Sequence, residues 1–220
     1  MKKTIVIPAY NEEYAIKKVV ERVKRVCSKG DEIIVVDDGS NDRTSEIAKR
    51  LGVKVLKHEK NKGKAIAFKT GFREAKNDVI VTIDADCTYP PEKIPKLVRY
   101  LKGNDLVIGS RFRKGIPDNF PLLRGIANVL GAKFASLILF KRVTDVTSGM
   151  RAFRKDVVEA CDIRAKGLDF EAEFTSRAIS MGFRHKEIPI SSEERIGRSK
   201  LNFLSDIFKF SIAILRGRLR

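Results

Sequence analysis

The chain has 220 residues, enough to bury one good hydrophobic core, and nothing in its composition points to disorder or a second full domain, so a single domain over 1–220 is expected. A formal net charge of +17 calls for an anionic partner, whether nucleic acid, lipid headgroup or phosphorylated substrate, and does not choose among them. Three scattered cysteines, Cys27, Cys87 and Cys161, exclude a disulfide framework and a cysteine metal cluster and fit a reducing, cytoplasmic interior.

Strand-like and helix-like stretches alternate through the first half, the pattern of an α/β sheet with helices packed on it. "KKTIVIPAY" reads as a first strand with no apolar leader before it. The spacing then predicts a helix from Asn11, with Glu12 and Glu13 in its first turn, Ile16, Val19, Val20, Val23, Val26 and Cys27 on one face, and Gly30 past its end. "EIIVVDD" is a second strand, and in the following "GSNDRT" either Ser40 or Asn41 is placed to cap the helix "SEIAKRLG". "VKVLKH" is a third strand, "EKNKGK" a turn, "AIAFKTGFREAK" a helix, and "DVIVTID" and "DLVIGSRF" further strands. Two long apolar helical stretches follow, 120–143 and 201–220, with no elements assigned between 145 and 194. No run of about 18 uncharged apolar residues occurs, so the chain is not expected to span a membrane.

Two strands end in acidic pairs, Asp37-Asp38 and Asp84-x-Asp86, and open parallel sheets bind ligands outside the carboxyl ends of their strands. Residues two apart in an extended segment face the same side, so Asp84 and Asp86 can share a hard cation such as Mg2+ or Mn2+, with a diphosphate as its second partner. Asp is also a common turn former ahead of prolines such as Pro90 and Pro91, and that reading stays open. The sequence contains neither G-x-G-x-x-G after the first strand nor G-x-x-x-x-G-K-[ST], so a nicotinamide dinucleotide fold and a P-loop are not supported.

Taken together and in order, "IVIPAYNEE", "VVDDGSNDRT", "NKGKAIAFKTGFREA" and "VTIDADCTYPPE" resemble family 2 glycosyltransferases of the GT-A fold. "GSR" at 109–111, "DVTSGMRAFRK" at 145–155 and "RIGRSKLN" at 195–202 are similar to the polyprenyl-phosphate branch, the dolichyl-phosphate mannose synthase group. The resemblance implies a mostly parallel central sheet flanked by helices, with a nucleotide-sugar half over 1–110 and an acceptor half over 111–220. It implies a metal-dependent hexosyltransferase that moves a sugar from a GDP- or UDP-sugar to a polyprenyl or dolichyl phosphate with inversion. Pro8, Tyr10, Glu12, Asp37, Asp38, Lys64, Asp84 and Ala85 would line the nucleotide pocket, and Asp84 and Asp86 would hold Mg2+ or Mn2+. Where mannose synthases carry Gln two residues beyond the second Asp, this chain has Thr88.

Arg111, Arg124, Ser148, Arg151, Arg195, Arg198 and Lys200 fall in segments resembling the acceptor half, and guanidinium forks suit phosphate oxygens. A phosphate monoester, with a second pKa near ~6, is already largely anionic at neutral pH and needs no general base. Asp86, Arg111 and Arg124 are the catalytic candidates, and Asp145 is the carboxylate to test as a base, with Arg pairing as its other reading. The stretches 121–141 and 201–216 fit either core or peripheral contact with the cytoplasmic membrane face, where Arg216, Arg218 and Arg220 would meet anionic headgroups. Two rivals remain: transfer to a saccharide hydroxyl, which needs a base, and nucleic-acid binding, which the strand-end acids oppose.

Overall fold

Apolar residues at period two build the sheet. In β1 (Lys3–Ala9), Ile5, Ile7 and Ala9 enter one cluster and Val6 the other; in β2 (Glu32–Asp37), Val35 opposes Ile34 and Val36; in β4 (Val79–Thr82), Val81 opposes Ile80. Both faces are therefore buried, as in parallel sheets covered by helices. The computed structural model describes residues 1–197 and 203–219. With β3 (Lys54–Lys57), β5 (Leu106–Ser110), β6 (Arg151–Arg154) and β7 (His185–Pro189), the order is β3-β2-β1-β4-β6-β5-β7. All pairings are parallel except those of β6, which runs antiparallel to β4 and β5.

One face is covered by α1 (Ile16–Arg25), α2 (Thr44–Arg50) and α4 (Ile94–Tyr100) through Val19, Val23, Ala48, Leu97 and Val98. The other carries α3 (Lys64–Arg73), α6 (Lys155–Cys161) and α7 (Phe170–Ser180), where Phe68, Phe72, Phe153, Phe170 and Phe174 meet in stacked, tilted and edge-on pairs. Outside α7 lies a further layer, α5 (Leu122–Leu139) and α8 (Phe203–Leu219), joined through Ala135, Leu139, Ala172, Ile179, Ala213 and Ile214. At Gly217 a Cβ would lie 2.7 Å from the Ser176 Cβ, so only glycine lets α8 approach α7 so closely.

Several local expectations are corrected. The first helix begins at Ile16, after a turn in which the Glu12 carbonyl accepts the Ala15 (3.0 Å) and Ile16 (2.9 Å) N–H groups, while the N–H groups of Asn11, Glu12 and Glu13 donate to Ser40 Oγ (2.9 Å), Thr44 Oγ1 (2.8 Å) and Asp42 Oδ2 (3.1 Å). Asn11 takes a left-handed φ of 52° to allow this, and Glu12 is turned towards the strand ends. Ser40 is thereby occupied, and neither it nor Asn41 caps α2; Asp42 Oδ1 accepts the Thr44 N–H (2.9 Å). The unassigned segment 145–194 supplies two strands and two helices. α5 has 18 residues of mean hydropathy 1.5, enough by length and composition to cross a membrane although it carries Arg124 and Lys133, and 22% of it is buried. Arg216 does not reach outward to headgroups: it donates to buried Glu173 (2.9 Å) and lies 3.6 Å from Asp169, tying α8 to α7. Arg218 is exposed, and Arg220 lies outside the described residues.

Candidate active site

The carboxyl ends of β1, β2 and β4 open into one cavity of about 940 Å3. β1 delivers Pro8, Tyr10 and Glu12 to its wall, β2 delivers Asp38, and the chain after β4 delivers Asp84, Ala85 and Asp86. Asp37 is not on the wall: it is fully buried, accepting the Ser40 N–H at Oδ1 (2.8 Å), with Lys57 Nζ 3.8 Å from Oδ2. Asp38 shapes a loop, accepting the N–H groups of Lys62 (3.0 Å) and Gly63 (2.8 Å) while His58 Nδ1 lies 2.7 Å from its Oδ1.

Each carboxylate of the D-x-D pair faces a cation. Lys64, at the start of α3, places Nζ 2.8 Å from Asp84 Oδ1 and 2.5 Å from Glu171 Oε1 on α7. Burial alone would lower this ammonium, but the two carboxylates outweigh it and hold Lys64 above its ordinary value. Burial raises Glu171 against the opposing pull of Lys64. Lys64 thus bridges Asp84 and Glu171, giving each buried oxygen a charge-assisted contact. Asp86 pairs with Arg195, whose other nitrogen donates to Glu12 Oε1 (2.9 Å). Thr88 bends back to give its hydroxyl to Asp86 Oδ1 (2.6 Å), so it braces the aspartate. The chain at 193–196 lies along this turn, with Glu193 N–H on Thr88 O and Ile196 N–H on Asp86 O (both 3.0 Å), and Arg22 anchors Glu193 (2.6 Å).

The cavity continues past Arg111 and Arg124 to the apolar side of α5 and α8, lined by Leu130, Phe134, Phe210 and Ile214. Arg111 sits among the rings of Tyr89, Phe112 and Phe120, with centroids 5.2 to 5.6 Å away. Asp145 clamps it at Nε (2.8 Å) and Nη2 (2.9 Å). Burial would lower the guanidinium, and the Asp145 charge more than reverses that.

Two acceptor-side expectations are corrected. Arg151 is wholly buried and donates to three backbone carbonyls, of Ser148 (2.6 Å), Val146 (2.8 Å) and Glu171 (2.9 Å), so it shapes the 146–151 loop instead of meeting a phosphate. Ser148 is also wholly buried, its hydroxyl given to Gly109 O (2.6 Å). Asp145, 1% exposed and clamped on Arg111, is placed for pairing rather than proton transfer. Arg198 and Lys200 lie outside the described residues. Not anticipated were Tyr89, whose hydroxyl receives the Gly149 N–H (2.7 Å), and Glu171.

A profile described as glycosyl transferase family 2 matches residues 4–161. The chain is a family 2 glycosyl transferase. This transferase is 36% identical over 200 residues to a dolichyl-phosphate hexose transferase of Haloferax volcanii, covering 90% of this chain and 86% of that one. It is 40% identical over 177 residues to a dolichol-phosphate mannosyltransferase of Pyrococcus furiosus, covering 76% of this chain and 50% of that longer protein. Among solved structures, glucosyl-3-phosphoglycerate synthase of Mycobacterium tuberculosis, in complex with Mn2+, UDP and phosphoglyceric acid, superposes with a TM-score of 0.77 at 23% identity, covering 99% of this chain and 77% of that one. The shared architecture is the GT-A fold, and the central sheet of this glycosyl transferase follows it.

Proposed function

We propose that this glycosyl transferase moves one sugar from a nucleoside-diphosphate sugar, GDP- or UDP-linked, to a polyprenyl phosphate, with inversion at the anomeric carbon. One observation carries the reading: a single cavity joins the strand-end carboxylates to a pair of arginines and then to an apolar wall on α5 and α8. That sequence of surfaces matches a substrate pair of nucleotide, phosphate and isoprenoid tail. The names of the Haloferax and Pyrococcus relatives support the lipid-phosphate acceptor.

Pro8, Tyr10, Glu12 and Asp38 would face the nucleotide, and Tyr10 offers a ring for stacking on the base. Asp84 and Asp86 suit a divalent ion: both present hard carboxylate oxygens on the cavity wall, and each faces a positive charge in this structure, Lys64 at Asp84 and Arg195 at Asp86. When bound there, Mg2+ or Mn2+ supplies neutralisation of the charge that grows on the leaving diphosphate. Arg111 and Arg124 draw the acceptor phosphate to the sugar and offset the repulsion between two anions. Because that phosphate is already an anionic nucleophile, no base is required, which agrees with the clamped state of Asp145. Transfer to a saccharide hydroxyl would need a free carboxylate or imidazole beside the arginines.

Away from the cavity wall, α5 carries exposed Leu123 and Leu137 with Phe140 just past its end, and α8 carries exposed Phe208 and Leu219. Exposed apolar residues on two helices that also wall the lipid end of the cavity support peripheral docking on the cytoplasmic membrane face. The test is incubation with Mg2+ or Mn2+, a short-chain polyprenyl phosphate and a panel of radiolabelled sugar nucleotides, counting label extracted into organic solvent, with Asp86→Ala as control. Metal-dependent labelling from one donor, lost in the variant, is expected. Turnover of a sugar nucleotide with no label in lipid would overturn the acceptor.

A further inference from the structure

Glu187 on β7 lies outside the cavity wall, yet it holds the parts that hold Arg111. Its side chain is 2% exposed, and the nearest cation, Arg113 Nη1, is 3.7 Å away. A buried carboxylate is unfavourable unless its lone pairs are used, and here they are. Oε1 accepts the N–H groups of Thr144 (2.8 Å) and Asp145 (3.1 Å), and Oε2 accepts the Thr144 N–H (3.0 Å) and hydroxyl (2.5 Å). The Thr144 hydroxyl also lies 2.7 Å from Ser110 Oγ, at the end of β5 and one residue before Arg111. Both sides of the Arg111–Asp145 clamp therefore converge on one carboxylate. Residues 144–148 have no helix or strand of their own to fix Asp145, so its backbone is held by these bonds together with the Val143 N–H on Ser136 Oγ (2.9 Å), and its side chain by the Arg111 N–H (3.0 Å) as well as the guanidinium.

We propose that Glu187 is a positioning residue for acceptor recognition: it fixes the 144–145 backbone so that Asp145 presents the Arg111 guanidinium to the acceptor phosphate. The part concerning phosphate rests on the function proposed above. The positioning of Arg111 does not.

Two readouts separate the claims. The first is the Arg111 Nε–H resonance in a 1H–15N spectrum, assigned by its loss in Arg111→Lys. The second is the KM for a short-chain polyprenyl phosphate, set against the Kd for the free nucleoside diphosphate. Glu187→Leu removes all four acceptor bonds. Glu187→Gln keeps a carbonyl for the two backbone N–H groups and can donate to Thr144 Oγ1, whose proton then turns to Ser110. In Glu187→Leu the Arg111 signal is expected to move or broaden and the acceptor KM to rise by about tenfold or more, with nucleotide Kd held within about twofold. Glu187→Gln should restore both readouts to near the native values. An unmoved Arg111 signal in folded Glu187→Leu would overturn the proposal, as would equal loss of nucleotide affinity, which marks a general structural role. If Glu187→Leu does not fold, Thr144→Val removes only the hydroxyl link, and the same signal must move with a smaller rise in KM. If the native enzyme labels no lipid while the signal still moves in the variant, the acceptor assignment falls and the positioning of Arg111 by Glu187 stands.

Discussion

Replacing Gly149 by Ala tests how tightly the D-x-D site is built. A Cβ at 149 would lie 2.7 Å from both carboxylate oxygens of Asp84, where ordinary contact begins at 3.4 Å. The backbone of Gly149 cannot easily yield, because its N–H donates to Tyr89 Oη (2.7 Å) and its carbonyl accepts from Thr82 Oγ1 (2.9 Å). Its φ is not in the left-handed region, so alanine introduces no backbone strain and the effect is confined to the contact with Asp84. The carboxylate must retreat by about 0.7 Å, away from the position it shares with Lys64. Overpacking of this kind costs about 1–3 kcal/mol, and displacing a reacting group by about 1 Å lowers rates by about 10²-fold. The expected outcome is a folded protein with a modestly lowered Tm, a kcat/KM reduced by about 10²-fold, and weaker Mn2+ binding in the presence of nucleotide, read by electron paramagnetic resonance. Native Mn2+ affinity and activity in folded Gly149→Ala would refute the reasoning.

Arg216→Ala leaves buried Glu173, among the described residues, with the N–H groups of Arg164 and Ala165, so a loss of about 1–3 kcal/mol is expected in urea unfolding, with α8 protected less in hydrogen exchange. Leu137→Asp with Phe140→Asp changes two residues that are 70% and 80% exposed, so stability should hardly change while sedimentation with anionic vesicles falls by about tenfold or more. Burial alone would raise the Asp105 carboxyl, but the Arg184 N–H and the charges of Arg184 and Arg154 outweigh it and hold it below the usual value. A carboxylate lowered on folding contributes stability that is complete above its unfolded pKa of about 3.9 and is lost as the pH falls through the folded value. The Tm gap between native protein and Asp105→Asn should therefore be open at pH 7 and narrow steadily below pH ~4; a constant gap would show that the ion pair is not its source.

Information about single segments was legible in the chain. The alternation of Ile5, Val6 and Ile7, and of Ile34, Val35 and Val36, marks strands buried on both faces, because side-chain direction along a strand depends only on spacing. The same locality exposed the acidic strand ends, since Asp84 and Asp86 fall outside the last paired residues of β4 whatever the rest of the fold does. Partner choice was not legible, because it joins residues remote in sequence. Asp145 meets Arg111 across 34 positions, and Glu187 meets Thr144 across 43. Arg151 and Arg124 are the same residue type, yet one is enclosed by backbone carbonyls and the other faces the cavity. Asn11, Glu12 and Glu13 carry the local signs of a helix start, and the turn at 40–44 takes their N–H groups first. A residue drawn into a left-handed conformation, as Asn11 is at φ 52°, cannot begin a helix, and a charge enclosed by distant carbonyls no longer reaches solvent; both outcomes depend on which surfaces the folded chain brings together.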